Sequence, residues 1–179
     1  MTFDEAWEII PGNGWLHKEE GQLLWNVVQS CRGDILEVGC YQGKSSCLMA
    51  LAAGVQRQIH SVDPFEGFDS DDMTGDKTLD AWIQNTGARS EYCNIRLWAT
   101  KVELWKPLPC GFAYLDGDHT YQGTVNQIRK ARETGCKEVC IHDYAQTGDG
   151  RAIVAAIHDE RLNVVQVVDR MAHGRLEQR

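Results

Sequence analysis

The sequence predicts an α/β protein: a three-layer sandwich of helices around a mostly parallel seven-stranded sheet, closed by a C-terminal antiparallel hairpin strand. Three observations predict it. Short apolar runs alternate with longer helical stretches, the order that parallel strands joined by helical crossovers require. The stretch Asp34-Ile35-Leu36-Glu37-Val38-Gly39-Cys40-Tyr41-Gln42-Gly43-Lys44-Ser45-Ser46 reads as a buried strand, a glycine-bearing turn and a helix start. Beyond the last crossover helix, Met171 to Gln178 pairs back as a hairpin strand through a turn near Ala172-His173-Gly174.

The elements follow in order. Residues 4–10 form a short helix that Pro11-Gly12-Asn13-Gly14 breaks, and 18–31 form an amphipathic one with Leu23, Leu24, Val27 and Val28 on its apolar face. Strands are expected at 35–38, 58–62, 94–98, 112–116, 138–142 and 163–168. Helices are expected at 44–53, 78–85, 120–133 and 149–160. All 179 residues make one domain, with 1–33 a helical cover and 34–179 the α/β core. Ligands in such sheets sit beyond the carboxyl ends of the strands. That gathers Gly39–Gly43, Asp63, Ala99–Thr100, Asp116–His119 and His142–Tyr144 around one crevice.

Composition narrows the function. A formal net charge of −8 and a pI near 5.2 argue against nonspecific nucleic-acid or anionic-membrane binding. No apolar run is long enough to span a bilayer, and no leader pattern opens the chain. Seven cysteines without C-x-x-C spacing read as reduced thiols of a cytoplasmic protein, with Cys47 and Cys140 in the core. The expected partner is a small-molecule substrate, with homo-oligomerisation left open.

The turn after the first strand presents backbone N–H groups to an anionic moiety. Twenty-four residues beyond Gly39, the run Ile59-His60-Ser61-Val62 ends in Asp63, placed to grip ribose hydroxyls. An adenosine-type cofactor follows; a packing turn without ligand is the plainer alternative. A phosphate-binding loop would need glycine at 38, which is Val38, and a dinucleotide turn would need glycine at 41 and 44, which are Tyr41 and Lys44. The pattern Glu37-x-Gly39-x-Tyr41-x-Gly43-x-Ser45 instead resembles the first motif of class I S-adenosylmethionine-dependent methyltransferases, above all the catechol and caffeoyl-type O-methyltransferases.

That resemblance implies a Rossmann-like sandwich and S-adenosyl-L-methionine as cofactor. Glu37 would orient the turn or the methionyl amine, Ser45 the methionyl carboxylate, Asp63 the ribose, and Thr100 would lie near adenine. The segment Asp116-Gly117-Asp118-His119-Thr120-Tyr121 resembles one in macrocin-type O-methyltransferases, where the first aspartate lies beside the sulfonium and binds a divalent cation. Asp116 takes that role by resemblance. Helix capping accounts for Asp118 or Thr120, and it would leave His119 a solvated loop residue. Relatives carry paired aspartates or an Asp-Asn pair where this chain has His142-Asp143-Tyr144. Asp116, His142 and Asp143 are thus the candidate metal ligands. Oxygen ligands suit Mg²⁺, and an imidazole shifts preference toward Mn²⁺ or Fe²⁺. The alternative is that His142 and Asp143 only tie down a loop.

The expected reaction is O-methylation of a sugar, polyol or aromatic diol. Asp116 and Asp143 hold the cation, and His119 is general base or spectator. Gly14-Trp15-Leu16 with Glu19-Glu20-Gly21 resembles a segment that covers the cofactor, with Trp15 a core anchor. Phe65 to Ser90 is the expected source of substrate choice, its acidic run Asp69-Ser70-Asp71-Asp72 a solvated loop. Two other classes remain: a binding protein that transfers no methyl, and a metal-dependent hydroxylase-like oxidoreductase on the same scaffold.

Overall fold

The computed structural model describes residues 1–66, 75–145, 148 and 150–177. The acidic run at 69–72 and residue Gln178 lie outside the described residues. Two helices come first, α1 (Phe3–Ile9) and α2 (Lys18–Ser30), followed by β1 (Ile35–Val38), α3 (Lys44–Ala53), β2 (Ile59–Val62) and α4 (Gly75–Gly87). A 3₁₀ turn at Ser90–Tyr92 leads to β3 (Ile95–Trp98), then β4 (Phe112–Leu115), α5 (Tyr121–Glu133), β5 (Glu138–Ile141), α6 (Gly150–Asp159), β6 (Leu162–Val168) and β7 (Met171–Leu176).

The sheet has seven strands in the order β3-β2-β1-β4-β5-β7-β6. Pairs β1–β2, β2–β3, β1–β4 and β4–β5 are parallel, while β7 is antiparallel to both β5 and β6. The fold is the expected one. One detail is corrected: the hairpin turns at Asp169-Arg170, and Ala172, His173 and Gly174 belong to β7. Asp169 takes the left-handed conformation that the tight turn needs (φ 50°), a role aspartate tolerates better than most residues.

Chain order reverses at β1 and β4, and their carboxyl ends open the crevice. Both strands are buried along their whole length, because helices cover each face of a parallel sheet. Leu24, Val28, Ile35, Leu48, Met49 and Phe112 anchor the core toward α1–α3. Leu36, Val38, Leu115, Ile128, Val139 and Ile153 anchor the one toward α5 and α6. Neighbours on β1 alternate between the two, as the strand period dictates. Cys47 and Cys140 are buried free thiols as expected, whereas Cys93 is exposed. No helix among the described residues is long and apolar enough to cross a membrane.

Candidate active site

The cofactor-type turn is built from below. Glu37 and Ser61 are register partners on adjacent strands, so their side chains share a face. The hydroxyls of Ser45, Ser46 and Ser61 donate to the Glu37 carboxylate at 2.6, 2.6 and 2.5 Å. Glu37 is wholly buried, and burial pushes its carboxyl up to about 7 against the three hydroxyl donors. It therefore lies beneath the turn, away from the cavity wall, and the role its contacts match is orienting the turn. Ser45 lines the cavity, but its hydroxyl is committed to Glu37.

Two glycines shape the turn for different reasons. Gly39 (φ +80°) lets β1 run against the β4–α5 loop, where a Cβ would meet the Asp116 carbonyl oxygen at 2.1 Å. Gly43 (φ +89°) precedes α3 and packs on Trp82 and Thr86 of α4, outside the cavity wall. Lys44 lines the cavity, but its ammonium is engaged by the N-terminal cover. Its ammonium donates to the Leu16 carbonyl at 3.0 Å and sits 4.9 Å from the Trp7 ring centroid, pinning the N-terminal cover to the turn.

Asp63 closes the turn from β2. The N–H groups of Cys40 and Tyr41 donate to its Oδ2 at 2.9 and 3.2 Å, and the Phe65 N–H donates to Oδ1 at 2.8 Å. A carboxylate offers about four acceptor sites, so roughly one is left for a ligand. Thr100 lies outside the cavity wall; the next residues, Lys101 to Glu103, line it instead. The chain turns back after β3 as Thr100 N–H bonds to the Trp98 carbonyl, and the following residues swing inward.

Trp15 corrects another expectation. It is 55% exposed and lies at the lip of the cavity, its ring 4.9 Å from that of Tyr41.

Across the cavity, β4 and β5 deliver the ionisable cluster. His119 Nε2 is 3.4 Å from Asp116 Oδ1, and its Nδ1 is 3.5 Å from Asp143 Oδ2. His142 Nδ1 is 3.3 Å from Asp116 Oδ1 and 3.5 Å from Asp143 Oδ2. The buried Tyr114 hydroxyl donates to Asp116 Oδ2 at 3.0 Å. Arg170, from the hairpin turn, stands 2.9 Å from Asp143 Oδ1. Asp143 is held in the left-handed conformation (φ 54°), which turns its carboxylate toward the cluster. His119 is thus part of this cluster and not a solvated loop residue. Thr120 caps α5, accepting the Gly123 N–H at 3.0 Å, and Asp118 accepts the Thr120 N–H at 2.9 Å.

The charges support one another. Burial alone would raise Asp116, but His119 and His142 beside it hold it down at about 2. Burial alone would lower His142; Asp116, Asp143 and Glu20 outweigh it and raise it to about 12. Asp116 raises His119 as well, while His142 lowers Asp143.

The donor set fits a divalent cation. Asp116, His142 and Asp143 offer ligand atoms that all lie within 4.8 Å of one another. His119 Nε2 has only its 3.4 Å approach to Asp116 Oδ1, short of a completed hydrogen bond, so the cluster has unspent polar capacity, whereas Asp143 Oδ1 is paired with Arg170. Two carboxylates and one imidazole suit Mg²⁺ less well than Mn²⁺ or Fe²⁺.

Turn and cluster face a single cavity of about 960 Å³. Sequence reasoning missed Glu20, Tyr114 and Arg170. Glu20 left one trace: a charge four residues before Leu24, on the apolar stripe of α2. Arg170 and Tyr114 left none.

Comparison with known proteins gives two findings. A family described as a methyltransferase domain matches residues 36–144. Solved structures share the fold. An S-adenosylmethionine-dependent O-methyltransferase from Thermotoga maritima superposes with a TM-score of 0.72 at 11% identity, over 100% of this chain and 72% of its own. An O-methyltransferase from Bacillus cereus in complex with SAH gives 0.67 at 13%, over 98% and 90%. An SAH-bound methyltransferase from Podospora anserina gives 0.66 at 12%, over 97% and 86%. No curated protein matches the sequence.

Proposed function

The chain belongs to this family of methyltransferase domains, and we propose that it transfers the methyl group of S-adenosylmethionine to a hydroxyl oxygen of a small sugar, polyol or aromatic diol. One observation carries the reading: a glycine turn with its ribose-type acid and a two-Asp, two-His cluster face the same cavity of about 960 Å³. That space suits a nucleoside cofactor together with a small acceptor.

The donor supplies an already activated sulfonium methyl, so this chain's task is placement and proton removal. Backbone N–H groups at the start of α3 favour the methionyl carboxylate. Asp63, with its remaining acceptor site, takes a ribose hydroxyl. Tyr41 and Trp15 wall the cofactor from solvent on one side. Asp116, His142 and Asp143 would hold a cation, which draws acceptor oxygens together and lowers a hydroxyl's pKa when bound. As the methyl leaves the sulfonium sulfur, which stays behind as a neutral thioether, and bonds to the acceptor oxygen, the hydroxyl proton would pass to His119, whose basicity Asp116 raises. Holding the acceptor oxygen in line supplies a large share of the acceleration. The acidic balance of the chain favours a small acceptor over nucleic acid.

The test is calorimetric titration of S-adenosylmethionine and S-adenosylhomocysteine into the wild type and Asp63→Ala. Binding to the wild type with at least about tenfold loss in the variant is expected, since tenfold is 1.4 kcal/mol and a hydrogen bond to a charged group is worth about 1.5–3 kcal/mol. No uptake by the wild type removes the reading. Uptake without methylated product on any hydroxylated acceptor makes the chain a binding protein. Iron content with oxygen consumption makes it an oxidoreductase.

A further inference from the structure

We propose that Glu20 of α2 is the positioning residue that fixes the orientation of His142, turning its Nδ1 toward Asp116 and Asp143. The inference rests on the reading of Asp116, His142 and Asp143 as a cation-holding set. It adds a member from a part of the chain that the family match, beginning at residue 36, does not reach.

Glu20 is wholly buried, at the first turn of α2. Its Oε2 lies 3.1 Å from His142 Nε2, a contact across 122 residues of sequence. The same oxygen accepts the His17 N–H at 3.0 Å, and Oε1 accepts the Arg170 N–H at 3.2 Å. An ionised carboxylate is costly to bury unless donors surround it. Here donors come from three separate segments: the start of α2, the end of β5 and the β6–β7 turn. An aliphatic side chain at this place on the apolar stripe would pack without that cost, so packing does not explain the glutamate.

The consequence falls on the imidazole. His142 is 3% exposed and presents one ring edge to the cavity. With Nε2–H donated to Glu20, Nδ1 is the nitrogen left facing Asp116 Oδ1 at 3.3 Å and Asp143 Oδ2 at 3.5 Å; it points a proton at these carboxylates and would release that proton on meeting a cation. A flipped ring would put carbon at both places. A carboxylate behind a ligating histidine fixes which nitrogen meets the metal and how the ring is turned. Through the Arg170 N–H, Glu20 also steadies the hairpin turn whose guanidinium reaches Asp143. The N-terminal cover thereby completes the cluster as well as roofing the cavity.

The experiment uses the ¹⁵N-labelled full chain as wild type, Glu20→Ala and Glu20→Gln, with His142→Gln for assignment. The wild type is expected to show a downfield His142 Nε2–H resonance, told apart from Nδ1–H by its ¹⁵N couplings to the ring carbon-bound protons, protected from solvent exchange and absent from His142→Gln. Glu20→Ala loses that resonance and binds Mn²⁺ about 10- to 100-fold more weakly, while affinity for S-adenosylhomocysteine stays within about twofold. Glu20→Gln keeps one acceptor and falls between; it carries the test if the alanine variant does not fold. A resonance that survives in Glu20→Ala overturns the proposal, as does loss of S-adenosylhomocysteine affinity in step with loss of Mn²⁺ affinity. If the wild type takes up no Mn²⁺, the cation reading fails by itself, and the imidazole resonance still decides the role of Glu20.

Discussion

Substituting Gly39 by alanine tests how closely the two halves of the crevice are joined. The new Cβ would fall 2.1 Å from the Asp116 carbonyl oxygen, 2.5 Å from its carbonyl carbon and 2.8 Å from Gly117 Cα. All three are backbone atoms, so no side chain can swing aside. Ordinary contact begins near 3.4 Å, and the β4–α5 loop must therefore retreat by more than an ångström or the turn must rebuild. Two costs add. A left-handed conformation costs a non-glycine residue roughly 1–2 kcal/mol, and forcing atoms into a filled space costs roughly 1–3 kcal/mol more. Gly135 separates them: its φ is +86°, close to that of Gly39, yet nothing lies within 4 Å of its would-be Cβ. Gly135→Ala should then lose only the conformational part, about 1–2 kcal/mol, and Gly39→Ala about 2–5 kcal/mol. Urea unfolding of the wild type and both variants measures the difference. Because the retreat carries Asp116 with it, Gly39→Ala should also bind S-adenosylhomocysteine at least about tenfold more weakly, a 1.4 kcal/mol effect. Equal stability of the two variants, with Gly39→Ala binding as the wild type does, would refute the close approach.

Two further outcomes are expected. Glu37 holds a proton in the folded protein up to about pH 7 that it releases near 4.5 when unfolded, so its contribution is fully present below pH 4.5 and is lost as pH rises to 7. The loss is on the order of 3 kcal/mol at 1.36 kcal/mol per pKa unit. Glu37→Gln should flatten that part of the stability profile between pH 4.5 and 7; parallel urea-midpoint profiles for the two proteins would sink the idea. Trp15→Ala removes an exposed ring at the cavity lip, so stability should change by less than about 0.5 kcal/mol while affinity for S-adenosylhomocysteine or the acceptor falls. A drop in stability without a drop in affinity would make Trp15 a packing residue after all.

What could be read without coordinates has a common character: it is local. The strand–turn–helix unit around Gly39 and Gly43, and the acid at the tip of the second strand, depend on spacing and backbone freedom within a few residues. So did the alternation that implies a parallel sheet and the capping residues Asp118 and Thr120. Elements were legible for that reason, and so was the crevice, because strand ends in such a sheet converge.

Orientation was not legible. Glu37 belongs to the motif by its position, yet the β1–β2 register turns it downward onto Ser61 and two helix hydroxyls. Thr100 stands at a strand end, but the chain bends so that its successors reach the cavity. Trp15 looked like core because tryptophan usually is, yet it stands exposed at the cavity lip. The hairpin turn moved by a few residues because Asp169 can adopt a left-handed backbone and β7 needs Ala172 to Gly174 for its ladder. The sequence by itself determined the fold and named Asp116, His119, His142 and Asp143. Only the tertiary structure decided that Glu20 stands behind His142 and Arg170 beside Asp143. Propensity and periodicity act over a turn or two of chain, whereas partners far apart in sequence meet only when the helices and sheet have packed.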